Sequence, residues 1–178
     1  MKFINNSSDL AKFLSIKIIR QSKITNISTD TRGLKVGSLF FAIKGEQFNG
    51  NDYVEDALKK GASFVVTDSR RFKSTNDKNI IYVNNTIVAL RKIAKNILKK
   101  FNGDVIGVTG SNGKTTTTKI ISSVLNKSSG TIKNYNNEIG MPLSIINANA
   151  NSKYLVIEMG AAKPKDIQYL SSLLKPNI

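Results

Sequence analysis

The sequence predicts an α/β fold: a small mixed α/β N-terminal domain, followed by the first part of a P-loop, doubly wound parallel-sheet domain that is truncated. Short apolar runs alternate with amphipathic stretches along the 178 residues, as strands and helices do in a parallel sheet. One apolar run stops at a glycine-rich turn and a threonine run, which is typical of a strand, a tight turn and a helix start. We therefore predict an N-terminal domain over residues 1–84, a connecting helix over 85–103 and a partial central domain over 104–178.

The N-terminal domain is predicted to contain three strands and two helices. Ser8 and Asp9 can cap the first helix, which runs to about Phe13. Gly61 suits the position after a helix end, so the second helix ends at Lys60. The remaining elements follow from apolar runs: strands over Leu39–Ile43, Ser63–Thr67 and Ile80–Val83, a helix over Asp52–Lys60, and a polar turn over Asp30–Gly33.

The connecting helix and the central domain are predicted in the same way. Thr86–Lys100, with Val88 among its apolar residues, has helical spacing, and Ser128-Ser129-Gly130 is expected to break the helix after the glycine-rich turn. From Asp104 onward we predict a strand, a helix over Lys114–Asn126, a strand near Thr131–Lys133, a helix with Pro142 in its first turn, a strand over Tyr154–Ile157, a helix from Pro164 to about Leu174, and the opening of another strand at Asn177-Ile178. Because this sheet would have an open side, we expect a fragment or a chain that ends unusually early.

Composition excludes several kinds of chemistry. The chain has no cysteine and no histidine, so we expect no disulfide, no thiolate nucleophile and no zinc–cysteine site. Any acid–base chemistry within this chain must use carboxylates, lysine, tyrosine or bound water. No apolar run reaches the length of about 18 residues that indicates a membrane span. Residues 1–13 lack the apolar core of a signal peptide, and we expect a cytoplasmic location.

Basic residues dominate the charge balance, with 27 Lys and Arg against 12 Asp and Glu and a formal net charge of +15. Such a balance can indicate nucleic acid, a polyanionic small ligand or simply a solvated surface. The lysines are dispersed and aromatic residues do not alternate with them. We therefore predict no specific nucleic-acid partner, and a basic nucleic-acid-binding module stays open as an alternative.

The segment Val105–Thr118, VIGVTGSNGKTTTT, carries the clearest chemistry. Its glycine turn would point backbone N–H groups at one place beside the positive end of a helix dipole, which forms a seat for phosphate. Lys114 would reach the β- and γ-phosphates of a nucleotide, and the Thr115 hydroxyl would coordinate Mg²⁺. The strict G-x-x-x-x-G-K-[ST] pattern fails, because Val108 occupies the first glycine position. The alternative is an ordinary strand–turn–helix with a chance Gly-Lys-Thr.

Further polar residues are candidates for a site. Glu158 follows a buried strand. Because the carboxyl ends of parallel strands share one edge of a sheet, Glu158 would lie near Thr115 and share its Mg²⁺. The alternative is a surface glutamate in a loop. Asn136 and Asn137 suit hydrogen bonding to a ligand, or a polar turn. Arg32 could bind a phosphate or close a surface salt bridge.

Several motifs resemble the Mur ligase family, in the same order and along nearly the whole chain. Residues 109–116, TGSNGKTT, look like the family's ATP loop, which also lacks the first glycine. The family's first domain is similar to residues 28–45, STDTRGLKVGSLFFAIKG, and to residues 50–62, GNDYVEDALKKGA. Residues 134–143, NYNNEIGMPL, look most like the members that attach D-alanyl-D-alanine, and residues 156–161, VIEMGA, also fit.

The resemblance implies a three-domain ligase of peptidoglycan precursor synthesis, and thus of cell-wall biogenesis, cell shape and cell division. Its domains bind a uridine nucleotide, bind ATP, and close on the site, respectively. ATP with Mg²⁺ would phosphorylate the terminal carboxylate of UDP-N-acetylmuramoyl-tripeptide, and the amine of D-alanyl-D-alanine would attack the acyl phosphate. The full-length enzyme would be a monomer. This chain would hold the first domain and the front of the second, so we expect no ligase activity from it alone.

The resemblance also implies roles for individual residues. Lys114 and Glu158 would be catalytic, Thr115 and Glu158 would hold Mg²⁺, and Thr31 and Arg32 would lie near the uridine nucleotide. Two sets would bind ATP and the muramoyl-peptide: Gly110, Ser111, Asn112, Gly113, Lys114, Thr115 and Thr116 for ATP, and Asn136 and Asn137 for the muramoyl-peptide.

The chain departs from the family at Asn49-Gly50-Asn51, where Asp-Gly-His is common, and this leaves open how a nucleotide is held there. Two related activities are alternatives: a ligase that adds diaminopimelate or lysine to UDP-muramoyl-dipeptide, and a folylpolyglutamate synthase. The Asn-Asn-Glu-Ile-Gly segment argues against both, since the ligase that adds the third amino acid usually carries a Thr-Thr-Pro type of segment there.

Overall fold

The computed structural model of the chain describes residues 2–45, 47–132 and 134–178. The chain forms two compact units, one over Ile4–Lys92 and one over Ile93–Ile178 that also takes in the first residues of the chain. Each unit is built on a parallel sheet with helices, so the predicted α/β fold class is confirmed.

The first unit contains helices, two short 3-10 helices and four strands. In chain order these are α1 (Ser7–Leu14), β1 (Asn26–Ser28), β2 (Ser38–Phe41), a 3-10 helix (Gly50–Tyr53), α2 (Val54–Lys59), β3 (Phe64–Thr67), a 3-10 helix (Arg70–Phe72), β4 (Ile80–Tyr82) and the beginning of α3 (Thr86–Lys100). The strands pair in the order β1-β2-β3-β4, and every pair is parallel.

Apolar packing holds this sheet. β2 and β3 are buried at every position, and because neighbouring side chains point to opposite faces, both faces are covered. On one face Phe40 and Val65 pack in a cluster with Val54 and Ala57 of α2. After α2, Gly61 adopts a φ of +83°, the left-handed conformation predicted for glycine after a helix end.

Three features of this unit differ from the prediction. α1 is capped by Asn6, whose side chain accepts a hydrogen bond from the backbone N–H of Asp9, and not by Ser8 or Asp9 themselves. β1 lies in a polar segment for which the sequence predicts no strand, because backbone pairing with β2 defines it and no apolar pattern does. Val88, predicted on the apolar face of α3, is 58% exposed.

The second unit contains the end of α3 and a three-stranded sheet. Its elements are β5 (Asp104–Val108), α4 (Lys114–Val124), β6 (Ser128–Gly130), α5 (Gly140–Ile146), β7 (Tyr154–Glu158) and α6 (Asp166–Leu174). The strands pair in the order β5-β7-β6, all parallel, so the last strand in sequence is central.

The pairing of β5 with β7 positions the polar residues that follow both strands. Val108, at the end of β5, lies opposite Glu158, at the end of β7. Ile106, Val108 and Val156 form an apolar cluster against Ile121 of α4, and α5 also contacts β7. The two strand ends therefore lie side by side at one edge of a sheet that is fixed by packing.

One predicted strand and one predicted helix of this unit are wrong in position. β6 occupies the segment where the sequence predicts only a helix break. The strand predicted at 131–133 is not formed by residues 131 and 132, and Lys133 lies outside the described residues. α6 begins at Asp166 rather than at Pro164, after Lys165 in the left-handed conformation.

The end of the chain lies beside the outer edge of β5. The backbone N–H of Asn177 donates to the Val105 carbonyl, and the N–H of Gly107 donates to the Ile178 carbonyl, both at 2.9 Å. These bonds hold the chain end against β5, but residues 177 and 178 are not part of a strand, so the strand predicted to open there is not formed. Across the described part of the chain, no helix combines the length and the apolar character needed to cross a bilayer.

We expect Ile157→Ala to lower the free energy of unfolding by about 2–5 kcal/mol, because Ile157 is 0% exposed in the central strand of its sheet. Denaturant unfolding measures the change. Val124→Ala is the control: Val124 on α4 is 74% exposed, so its truncation should stay within about 0.5 kcal/mol. Equal losses in the two variants would contradict the central place of β7.

Candidate functional site

A glycine loop (residues 109–113) joins β5 to α4 at the carboxyl edge of the second sheet. Gly113 has a φ of +75° and an added Cβ would meet nothing within 4 Å, so conformation rather than space requires glycine there. No side chain of the described residues caps α4. The N–H groups of its first turn, which have no partner within a helix, can therefore serve a ligand.

A cavity of about 340 Å³ opens at the N-terminus of α4. Every predicted ATP-binding residue lines it except Gly110, which lies in the same loop. Its lining joins the loop and the first turn of α4 to two residues from elsewhere: Ser111, Asn112, Gly113, Lys114, Thr115, Thr116, Asn136 and Glu158. A larger cavity, of about 560 Å³, is lined by residues 100–104 and 150–154 and contains no candidate residue.

Glu158 is at the centre of the polar contacts in the smaller cavity. The residue is only 2% exposed. The Thr115 hydroxyl donates to Glu158 Oε2 at 2.8 Å, and the Asn136 amide donates to Oε1 at 2.7 Å. Each oxygen of the buried carboxylate thus has its own donor, as burial of a charge requires. Thr115 and Glu158 are in direct contact, and their role as metal ligands stays a prediction.

Lys114 lies over the glycine loop itself. Its ammonium group donates to the Gly110 carbonyl at 2.8 Å and lies 3.4 Å from the Ser111 carbonyl. The predicted phosphate-binding cation is therefore already at the loop, where it is held by neutral carbonyl oxygens. Contact with a phosphate would replace these bonds with stronger, charge-assisted ones.

The two candidate asparagines have different contacts. Asn136 reaches Glu158, as described above. The side-chain oxygen of Asn137 accepts hydrogen bonds from the backbone N–H groups of Ile139 and Gly140 at 3.2 and 2.8 Å, where α5 begins. Asn137 thus has the turn role that the sequence left open beside ligand binding.

In the first unit, the residues predicted to lie near a uridine nucleotide have local partners. The Arg32 side chain is 89% exposed and donates to both carboxylate oxygens of Asp30. Thr31 is buried, and its carbonyl accepts from the Lys60 ammonium at 3.1 Å. A hydrogen bond from Lys60 lowers the pKa of Asp56, and one from the Thr31 side chain acts in the same direction. The surface salt bridge that the sequence left open is present, and a substrate role stays a prediction.

A buried polar network occupies the position where the resemblance would favour histidine. Asn51 is 7% exposed. Its side-chain oxygen accepts a hydrogen bond from the Thr67 hydroxyl at 2.6 Å. Its side-chain NH₂ group donates to the side-chain oxygen of Asn49 at 3.1 Å and to the carboxylate of Asp68 at 2.9 Å. The Asn51 amide therefore ties the first 3-10 helix to β3 and the residue after it. No motif in the sequence indicates this network.

The donor set at the cavity fits Mg²⁺. The hydroxyl oxygen of Thr115 and Oε2 of Glu158 are 2.8 Å apart, close to the spacing of about 3 Å between adjacent oxygens that each lie about 2.0–2.1 Å from Mg²⁺. The described residues contain no cluster of three or more His, Cys, Asp or Glu that could form a cage. Mg²⁺ is commonly bound by one or two protein oxygens together with phosphates and water, which matches this pair.

Two family models match successive parts of the chain. The model described as "Mur ligase family, catalytic domain" matches residues 23–101, and "Mur ligase middle domain" matches residues 108–178. Among curated relatives, the UDP-N-acetylmuramoyl-tripeptide–D-alanyl-D-alanine ligase of Buchnera aphidicola subsp. Baizongia pistaciae is 37% identical over 186 residues, covering 93% of this chain and 40% of that protein. The enzyme of the same name from Bacillus subtilis is 39% identical over 163 residues, covering 88% and 35%.

Solved structures give a consistent result. MurF ligase from Thermotoga maritima, in complex with ADP, has a TM-score of 0.70 and 34% identity, covering 83% of this chain and 35% of that chain. MurF from Acinetobacter baumannii has a TM-score of 0.83 and 26% identity, covering 98% and 40%. The chain thus spans well under half the length of these proteins.

We expect Asn137→Ala to lower the free energy of unfolding by about 0.5–2 kcal/mol, because it removes the acceptor for two N–H groups at the start of α5. Asn137→Asp should retain most of the stability, since a carboxylate oxygen accepts the same bonds. Chemical denaturation measures both, with Asn134→Ala, an exposed neighbour, as the control. A loss in the aspartate variant as large as in the alanine variant would contradict the role of the Asn137 side-chain oxygen as an acceptor for these N–H groups.

Proposed function

The chain belongs to the Mur ligase family, and on this premise we propose that it serves an ATP-dependent amide ligase of peptidoglycan precursor synthesis. The proposed reaction adds D-alanyl-D-alanine to UDP-N-acetylmuramoyl-tripeptide. The observation that carries the proposal is the contact between Thr115 and the buried Glu158 carboxylate at the uncapped N-terminus of α4. Relatives at 37–39% identity that carry the name of this ligase support the choice of substrates.

The proposal divides the chain by role. Residues 1–84 would bind the UDP-substrate, residues 85–103 would connect, and residues 104–178 would form the front of the ATP-binding domain. Thr31 and Arg32 would lie near the uridine nucleotide, and Asn136 and Asn137 would lie near the muramoyl-peptide. A cytoplasmic location, a monomeric full-length enzyme and the lack of ligase activity in residues 1–178 alone remain predictions.

The residues of the second unit would act on ATP through binding and orientation. The N–H groups of the glycine loop and the first turn of α4 would hold phosphate oxygens. Lys114 would stabilise the negative charge of the transferred phosphoryl group. Thr115 and Glu158 would hold Mg²⁺, which when bound neutralises phosphate charge.

The amide bond would form in two balanced steps. The terminal carboxylate of the muramoyl-peptide attacks the γ-phosphorus, which gives an acyl phosphate and ADP. The amine of D-alanyl-D-alanine then attacks the acyl carbon, phosphate leaves, and the amine loses a proton. Within this chain, which contains no histidine, only a carboxylate, lysine, tyrosine or bound water could accept this proton.

We expect the chain to bind ADP with Mg²⁺, and Lys114→Met to weaken this binding at least about tenfold, because a charge-assisted contact to phosphate is worth about 1.5–3 kcal/mol. Isothermal calorimetry measures both affinities. Lys119→Met is a matched control, since Lys119 lies on the same helix and is exposed. Undetectable binding of ADP by the unmodified chain, or an equal effect of the two variants, would count against the proposed nucleotide site.

The acceptor side of the proposal can be tested with the muramoyl substrates. We expect the chain to bind UDP-N-acetylmuramoyl-tripeptide more tightly than the corresponding dipeptide, since a ligase that adds D-alanyl-D-alanine uses the tripeptide. Calorimetric titration with the two compounds measures the difference. Tighter binding of the dipeptide would instead support the alternative, a ligase that adds diaminopimelate or lysine.

A further inference from the structure

The backbone that follows Glu158 is tied to three different segments. The N–H of Glu158 donates to the Thr131 hydroxyl at 2.7 Å. The N–H of Met159 donates to the Val108 carbonyl, and the N–H of Gly160 donates to the Asn136 carbonyl, both at 2.8 Å. The last of these bonds brings the backbone of residue 160 directly against Asn136.

The Asn136 side chain occupies the space that a side chain at position 160 would need. A Cβ built on Gly160 would lie 2.7 Å from Cγ of Asn136 and 2.9 Å from both its Nδ2 and Oδ1 atoms, distances that real Cβ atoms essentially never show. The φ of Gly160 is not in the left-handed region, so space and not backbone strain excludes a larger residue. All three crowded atoms belong to the amide group that contacts Glu158.

The amide of Asn136 fixes one oxygen of the Glu158 carboxylate. Because an ionised carboxylate only accepts hydrogen bonds, the atom at 2.7 Å from Oε1 must be the NH₂ group of Asn136. The other oxygen is held by Thr115 at 2.8 Å. Two donors on two oxygens determine how the carboxylate plane is turned at the cavity.

We propose that Asn136 and Gly160 are positioning residues: Gly160 admits the Asn136 amide, and the amide orients Glu158 so that its carboxylate can share Mg²⁺ with Thr115. This inference rests on the proposed function, in which Glu158 holds Mg²⁺. It gives Asn136 a role that acts through Glu158. Residues that orient a metal ligand typically change metal affinity about 10–100-fold when they are altered.

The test is a cycle of three variants: Gly160→Ala, Asn136→Ala and the double variant. For each, calorimetry gives the affinity for ADP with Mg²⁺ and with EDTA, and the ratio of the two affinities is the Mg²⁺ effect. We expect each single variant to reduce the Mg²⁺ effect about tenfold, while the affinity for ADP in EDTA stays within about twofold of the wild-type value.

Thermal unfolding separates positioning from packing. Gly160→Ala alone should lower the melting temperature, because its methyl group meets the Asn136 amide. The double variant should lose less than the sum of the two single losses, since Asn136→Ala removes all three crowded atoms, and its Mg²⁺ effect should stay as low as that of Asn136→Ala. Asn134→Ala, in the same loop and exposed, should change neither quantity.

The outcomes separate this inference from the proposed function. If the wild-type chain binds ADP with a Mg²⁺ effect that persists in both single variants, the positioning role is wrong and the proposed function stands. If the wild-type chain shows no Mg²⁺ effect, the metal site and the positioning role both fall. Recovery of the Mg²⁺ effect in the double variant would also overturn the positioning role, since the Asn136 amide is absent there.

The NMR signals of the Asn136 NH₂ group provide a check without nucleotide, because Glu158→Gln should shift them. If these signals do not shift, the contact between Asn136 and Glu158 is contradicted.

Discussion

The parallel register of β5 with β7 is the constraint on which the candidate site depends. It places Val108 opposite Glu158, so a loop that leaves one strand and a carboxylate that ends the other share an edge, although 50 positions of sequence separate them. Parallel strands cannot be joined by a tight hairpin, and the intervening chain returns through α4, β6 and α5 before β7 inserts between its neighbours. A shift of one residue along β7 would turn Glu158 to the other face of the sheet.

Burial of Glu158 has to be balanced electrostatically. A carboxylate that is 2% exposed loses most of its hydration, and unpaired it would strongly destabilise the fold. The Thr115 hydroxyl and the Asn136 amide replace part of that hydration, and the N-terminal end of α4, from which Thr115 comes, contributes a favourable dipole. The same arrangement draws three segments together, namely the first turn of α4, the loop before α5 and the end of β7. Stability and the candidate site therefore depend on one side chain.

The sequence reveals those parts of the molecule that leave a local signature. The α/β class, α3 with the bounds Thr86–Lys100, and the turn before α4 all follow from apolar periodicity and glycine placement. The proximity of Thr115 and Glu158 follows from a general rule about strand ends.

By contrast, β1 and β6 are short, polar strands defined by backbone pairing, and their side chains give no periodic signal. The contacts of Asn51 with Thr67 and Asp68, and of Asn136 with Glu158, join residues that are distant in sequence, which composition and spacing cannot reveal. The crowding of Gly160 against Asn136 likewise becomes visible only in the structure.

The contact of Lys114 with its own loop gives this cation an acceptor within the chain. In the absence of a phosphate, the carbonyl oxygen of Gly110 takes that place. An incoming anion would compete with this carbonyl oxygen for the ammonium, so only part of its attraction to the ammonium would appear as net affinity. Weakly charged molecules would gain little from such a competition, whereas a polyphosphate would gain much more. If the loop binds a nucleotide as proposed, it would thus discriminate between ligands by their charge density before any contact to a base or a sugar is made.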